Sequence, residues 1–376
     1  MKHLKNKLKL LLFSSISIAL PFLLVEFGMV VLEPWLPMGM FQYDADLGFR
    51  VRSHTNVWGK ETNNFGFNDR DYELVRKAGT YRILVIGDSY NWAGGRPKNY
   101  VTMLRRKFNH HYGVGKVEVI NAGYPNTQTA QQLALLKKYA LQYNPDMVVL
   151  GFYTGNDYLE GDPHIKRIVV NDSYINLARD RETTFFGYPV IPQSRLITFV
   201  QQKYKALTEA YLRGSDGILT ETAYQQVIFD RMDVTSLKSS QAGKYNQNFS
   251  YILDSLAEMS QLLQSQNIKF MTVVIPDEYQ VNEPLRNRVL ARFDRHPQDY
   301  DLELPQKLVL DRLNVLNVAY LDLLDKFRAN GKYQSLYKLR DTHWNEDGNK
   351  LAADLLFSYL LPKIDRAVTK LSHPKT

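Results

Sequence analysis

The stretch Tyr81-Arg82-Ile83-Leu84-Val85-Ile86 ends abruptly in Gly87-Asp88-Ser89. An apolar run rich in β-branched residues, a tight polar turn and a helix-like segment from about Pro97 to His110 read as strand, turn and helix. A strand that is apolar without alternation is buried on both faces, as in parallel sheets covered by helices. Ligands of such sheets bind outside the carboxyl ends of the strands, and Ser89 stands at that end. Serine is also a favoured helix N-cap, so the tripeptide alone leaves two uses for it.

The same pattern recurs downstream. Val117–Asn121 reads as a second strand and Thr127–Gln142 as a helix with apolar spacing at Leu133, Leu136 and Ala140. Asp146–Phe152 is a third strand, Ile268–Ile275 a fourth after a helix near Tyr251–Gln264, and Leu316–Leu321 a fifth. Gly348–Leu361 closes the series as an amphipathic helix. Alternating strands and helices with buried strands predict an α/β fold with a parallel sheet and helices on both faces. Residues 160–245 break the alternation and read as an insertion between the third and fourth strands. Within it, Leu196–Leu212 has helical spacing at Leu196, Val200, Tyr204, Leu207 and Tyr211. The insertion is either a packing subdomain or a lid over the carboxyl edge.

Residues 1–9 carry four lysines, and Leu10–Leu32 is apolar apart from Ser14, Ser15, Ser17 and Glu26. About 20 apolar residues span a bilayer as a helix, and a preceding basic flank keeps the amino end in the cytoplasm. Residues 1–35 are therefore expected to form a signal-anchor transmembrane helix of a bacterial inner membrane, with the body extracytoplasmic and Trp35 as an interfacial anchor. A cleaved signal peptide needs a shorter core and small residues at its cleavage site. Residues 36–79, rich in Gly, Asn and Asp, read as a linker with short strands, and residues 80–365 as the main domain.

There is no cysteine, which excludes disulfides, thiolate metal sites and a thiol nucleophile. The net charge is +8, of which residues 1–40 supply +2; the rest is scattered. A nucleic-acid face needs a clustered stripe or a known module, and neither is present. The histidines outside the last block have no carboxylate partners at metal-ligand spacing, so no metal site is expected.

Four polar blocks each follow a strand or precede the last helix: Gly87-Asp88-Ser89, Asn121-Ala122-Gly123, Gly155-Asn156-Asp157 and Asp341-Thr342-His343-Trp344. In a doubly wound sheet they converge on one edge, and their chemistry is complementary. A serine hydroxyl needs a base, and His343 can be that base. Asp341 can fix the imidazole tautomer and stabilise its cation. The backbone N–H groups of Ser89 and Gly123, with the Asn156 amide, supply three donors for an oxyanion. Glycine at 123 suits a backbone that must approach substrate closely.

The four blocks resemble those of the SGNH/GDSL hydrolase superfamily, whose Ser, Gly, Asn and His match Ser89, Gly123, Asn156 and His343 in order. The resemblance covers about 80–362 outside the insertion. It implies a flavodoxin-like doubly wound sheet of order 2-1-3-4-5 and activity on esters of small acyl groups, lipids or decorated sugars without a metal or other cofactor. Asn64-Phe65-Gly66-Phe67 in the lead-in resembles membrane-attached bacterial members. Three positions depart from the pattern: Tyr90 stands where leucine is common, which is expected to change only packing. Thr154 stands where glycine is usual. The last block is Asp-x-His in place of Asp-x-x-His, and its Asp-Thr-His-Trp form resembles that of alginate-acetylation proteins.

The expected function is serine-dependent hydrolysis of an O-acyl, above all O-acetyl, ester on an envelope glycan or lipid. Two alternatives stand beside it: O-acyl transfer to a cell-envelope or secreted polysaccharide, and a non-catalytic glycan-binding scaffold. The partners implied are an acylated carbohydrate or lipid and a membrane, with no nucleic acid.

Overall fold

The computed structural model describes residues 2–32, 39–57, 59–158, 162, 164–171, 173–185, 188–191, 194–211, 218–238, 246–330 and 336–372. Trp35, Leu212 and His373 lie outside them. The helices used below are α1 (Lys2–Leu32), α2 (Tyr100–Tyr112), α3 (Thr129–Lys138), α4 (Arg195–Tyr211), α5 (Glu221–Ser236), α6 (Asn246–Ser265), α7 (Leu304–Val315) and α8 (Glu346–Ser372). The chain divides into two compact units, one of Met1–Arg50 with His164–Tyr211, the other of Val51–Pro163 with Leu212–Thr376.

The larger unit is an α/β fold built on five parallel strands: β1 (Tyr81–Ile86), β2 (Val117–Asn121), β3 (Met147–Tyr153), β4 (Lys269–Ile275) and β5 (Ala319–Asp322). Their order across the sheet is β2-β1-β3-β4-β5, every neighbouring pair parallel. Every residue of β1 and of β3 is buried, which is why neither alternates in sequence. Ile83, Val85, Val119 and Val149 pack on one face with Leu104 and Phe108 of α2 and Leu356, Leu360 and Ile364 of α8. Leu84, Ile86, Val148 and Leu150 are equally buried but belong to the opposite face; α3 and α6 pair with one another, and α6 packs on β4.

The segment after Ser89 is not the single helix that its sequence suggests. A 3₁₀ turn at Ser89–Asn91 and a short helix at Gly95–Lys98 precede α2. Asn99 interrupts the run because its side chain accepts from Thr102 N–H at 2.8 Å and caps α2. Capping at the first turn falls to Asp88, whose Oδ1 accepts from Tyr90 N–H at 2.9 Å. The Ser89 hydroxyl is therefore not the cap of the helix.

The block after β5 also takes an unexpected form. Asp341–Trp344 is a strand, β7, paired antiparallel with β6 (Tyr337–Lys338). The turn between them holds Arg340 at φ 49°. Burial alternates along β7, with Thr342 and Trp344 inside.

The smaller unit holds α1, two short strands (Phe41–Asp44 and Gly48–Val51), the antiparallel hairpin of Ile165–Val170 with Ser173–Ala178, and α4. α1 is long and apolar enough over Lys5–Leu32 to cross a membrane, and none of that window is buried. A small core of Ile168, Val170, Ile175 and Leu177 lies on one face of the hairpin.

Candidate active site

Ser89 sits in the turn beyond β1, and His343 and Asp341 lie on β7. Ser89 Oγ is 2.7 Å from His343 Nε2, and His343 Nδ1 is 2.6 Å from Asp341 Oδ1. A ring nitrogen that close to a carboxylate carries the proton, so Nδ1–H donates to Asp341 and the neutral Nε2 accepts from the serine hydroxyl. The two-residue spacing of Asp341 and His343 works because β7 is extended. In a strand, residues i and i+2 point to the same side, so Asp-x-His on a strand juxtaposes side chains without the usual extra residue.

Asp341 also accepts from the His343 backbone N–H at 3.2 Å, and Lys338 Nζ lies 3.8 Å from its other oxygen. Burial pushes the Asp341 carboxyl up, but the bonds and charge of His343, with the Lys338 ammonium, outweigh it and hold the group at about 2. Tyr90 reaches across the same gap. Its hydroxyl donates to the Thr342 carbonyl at 2.5 Å, and its ring packs 5.3 Å from His343 and 4.7 Å from Trp344. The tyrosine in place of leucine thus does more than alter packing: it ties the turn that holds Ser89 to the strand that carries His343.

Gly123 follows β2, and its N–H points at Asn121 Oδ1 across a long 3.3 Å. Its carbonyl accepts from Trp92 Nε1 at 2.9 Å, so Trp92 holds this loop and is buried in doing so. Packing also requires the glycine. A Cβ at 123 would lie 2.5–2.7 Å from the side chain of Asn91. Asn91 is the buried post of the region: its Nδ2 donates to Val85 O and to Asn121 Oδ1, and its Oδ1 accepts from Tyr100 Oη–H at 2.8 Å. The lead-in supports the same loop from the other side, with Asp69 Oδ2 accepting from Asn121 N–H at 2.9 Å and Phe67 against Tyr124 at 5.3 Å.

Asn156 lies beside Asp88 and favours its charged form, and among the described residues its buried Oδ1 has no hydrogen-bond partner. Asp88 is fully buried; burial raises its carboxyl, opposed by the Tyr90 N–H, the His343 charge, Asn156 and Arg231. Among the described residues the Ser89 N–H has no acceptor. Asp157 Oδ2 accepts from Tyr153 N–H at 2.7 Å and closes the turn that presents Asn156. Thr154 replaces the usual glycine by bonding outward, its hydroxyl 3.0 Å from Gln280 Oε1 and 3.1 Å from Ile275 O. The adjacent Gly155 takes over the close approach: a Cβ there would fall 2.1 Å from Asp277 Oδ2 and 2.4 Å from the Tyr153 ring.

Sequence reading did not find Arg231, Asp277 or Glu278. Arg231 on α5 donates to Tyr153 Oη at 2.5 Å and lies 3.4 Å from Asp277 Oδ2, which also accepts from Tyr153 at 2.8 Å. Glu278 accepts from Tyr224 Oη–H and from Asn282 Nδ2. Burial, with the Asp277 and Asp341 charges, pushes its carboxyl up to about 7 against those two bonds. Only long-range pairing identifies these groups, so local pattern carried no signal. A cavity of about 450 Å³ opens beside His343, lined by Leu219, Tyr224, Val227, Arg231 and Lys338.

Residues 235–371, which include the His343 block, match the family model described as an SGNH hydrolase-like domain, acetyltransferase AlgX. Over those residues the chain is similar to the SGNH hydrolase-like domain. The match takes in the His343 block and stops short of the Ser89, Gly123 and Asn156 blocks. No curated protein matches. Among solved structures the chain is similar to an acetyl xylan esterase, AlAXEase, at 17% identity, 74% coverage of this chain, 99% of that chain and a TM-score of 0.41. It is also similar to TesA at 14% identity, with 75% and 98% coverage and a TM-score of 0.41. The acetylxylan esterase Axe2 from Geobacillus stearothermophilus gives 12% identity, 76% and 95% coverage and a TM-score of 0.41.

Proposed function

We propose that this chain is a serine esterase that removes an O-acyl group, above all acetyl, from an envelope glycan or lipid. The observation that carries the reading is the unbroken line from Ser89 Oγ through His343 to Asp341 Oδ1, at 2.7 and 2.6 Å. Ser89 Oγ attacks the ester carbonyl as its proton passes to His343 Nε2, and Asp341 stabilises the imidazolium. The oxyanion is held by the N–H groups of Ser89 and Gly123 and by the Asn156 amide. His343 returns the proton to the departing alcohol, leaving an acyl-Ser89 ester. Water, deprotonated by His343, attacks that ester, and acid and free serine result. The cavity beside His343 takes the part of the substrate next to the reacting carbonyl. α1 anchors the chain as a single pass in the bacterial inner membrane, with the larger unit extracytoplasmic.

Purified Ser89→Ala is expected to lose turnover of an aryl acetate by a factor on the order of 10⁵–10⁶. Asn156→Ala is expected to lose on the order of 10²–10³. Full activity in Ser89→Ala contradicts the mechanism.

A second reading is favoured by the match to the AlgX acetyltransferase model. Here a sugar hydroxyl, not water, resolves acyl-Ser89 and the ester passes to a polysaccharide. A labelled acyl donor supplied with glycan separates the two: label in the glycan supports transfer, label only in free acid supports hydrolysis.

A further inference from the structure

The spacing at Val200, Tyr204 and Leu207 would ordinarily mark the buried face of a helix, yet on α4 it is the outer one. Ile197, Val200, Tyr204 and Leu207 are 49%, 57%, 69% and 71% exposed. The packed side of α4 is polar. Arg195 is buried, its guanidinium donating to Pro189 O at 2.8 Å and to Asn171 Oδ1 at 3.4 Å, and Thr198 is buried beside it. A helix that turns polar groups inward and a row of apolar ones outward is inverted relative to a water-facing surface.

Where α4 begins explains the inversion. Glu26 of α1 caps it: the carboxylate accepts from Ser194 Oγ–H at 2.8 Å, from Arg195 N–H, and from Leu196 N–H at 3.1 Å. Asn171 Nδ2 adds a bond to Met29 O at 3.3 Å. Lys9 marks the inner end of the apolar run, and about 20 residues onward reach the far side of a bilayer. Glu26 therefore lies within a turn of the outer boundary, and the first turn of α4 lies at the same level. Lys203 and Lys205, both exposed, flank the stripe on either side, with Lys203 Nζ 5.1 Å from the Phe199 ring. Long cationic stems beside an apolar stripe suit the headgroup boundary, where ammonium groups reach phosphate while the stripe enters the acyl region.

We propose that α4 is a second membrane contact, lying in the headgroup–acyl boundary of the leaflet from which α1 emerges. This rests on reading α1 as the anchor. Its occupant is lipid, and α4 fixes the smaller unit at the bilayer in addition to the tether.

Because the chain has no cysteine, single-cysteine variants of the full-length protein take one label each. Tyr204→Cys and Leu207→Cys report the stripe, Leu23→Cys reports α1, and Val114→Cys, 86% exposed in the larger unit, reports water. Each carries an environment-sensitive fluorophore in vesicles of phosphatidylcholine and phosphatidylglycerol, with nitroxide quenchers placed shallow or deep on the lipid chains. Labels at 204 and 207 should be blue-shifted and quenched several-fold more by shallow than by deep nitroxide. The label at 23 should be quenched by deep nitroxide and that at 114 by neither. Labels at 204 and 207 quenched no more than the one at 114, with the one at 23 quenched, overturn the proposal and leave the anchor standing. An unquenched label at 23 overturns both. Blue-shifted labels at 204 and 207 that escape lipid quenching and form chain-to-chain disulfides when left unlabelled place a second copy on the stripe, which also overturns the proposal.

Discussion

The two ends of β1 carry buried polar clusters of opposite character. At the amino end, Arg82 is 1% exposed, and every guanidinium N–H has an acceptor. Nε and Nη2 bond Glu118, Nη1 bonds Leu74 O and Tyr143 O, and Nη2 also bonds Glu73 O. At the carboxyl end, the cluster around Ser89 is incomplete: among the described residues Asp88 Oδ2 and Asn156 Oδ1 are buried without partners, and the Ser89 N–H has no acceptor. A closed set of bonds fastens an element, and nothing remains for a ligand to supply. An open set costs stability and persists where a reacting group is to complete it. The amino end holds the strand, and the carboxyl end leaves groups open for the substrate of the proposed reaction.

Substitutions at each end should therefore separate activity from stability. Asp341→Asn replaces the carboxylate with an amide whose NH₂ can donate to Nδ1 and select the wrong imidazole tautomer, and turnover should fall on the order of 10⁴. Its urea midpoint should move little, because Asp341 is partly exposed and its Lys338 pair is long. Arg82→Met should do the reverse. It strands the mostly buried Glu118 carboxylate and three carbonyls, and should lower the unfolding free energy by about 3–5 kcal/mol, with kcat of the folded fraction unchanged. A large kcat loss in Arg82→Met without loss of stability would break the distinction.

Glu278 tests the border between the two kinds of cluster. Its folded carboxyl titrates at about 7, above its ordinary 4.5. Between those values the folded protein binds the proton and the unfolded chain does not, so stability falls as pH rises across that window and levels off above it. The full effect is on the order of 3 kcal/mol. Glu278→Gln keeps an acceptor for Asn282 and offers Tyr224 Oη a donor, as the neutral acid does. Its urea stability relative to the unmodified chain should rise from about pH 5 to about pH 8. A pH-independent difference would mean that the carboxyl is not held neutral.

The sheet was legible because strands buried on both faces are continuous apolar runs, as β1 and β3 are. The four site blocks were legible because each ends a strand or opens a helix, where chemistry collects. The fragment Tyr337-Lys338 is too short to announce a strand, so the extended form of Asp341–Trp344, which explains the Asp-x-His spacing, was not readable. Tyr90 looked like a packing change because its partner, the Thr342 carbonyl, lies far along the chain. Gly123 has a second requirement that no local pattern reveals, because the Asn91 side chain fills the space a Cβ would take. The stripe on α4 shows a further limit: periodicity reveals that a face is apolar, not what covers it.

The central claim is that Ser89 is activated by His343. Incubation with a fluorophosphonate, followed by intact-mass and peptide analysis, tests it directly. The account predicts one stoichiometric adduct on Ser89, absent from Ser89→Ala and strongly slowed in His343→Ala. No adduct on the folded protein, or one on another residue, would contradict it.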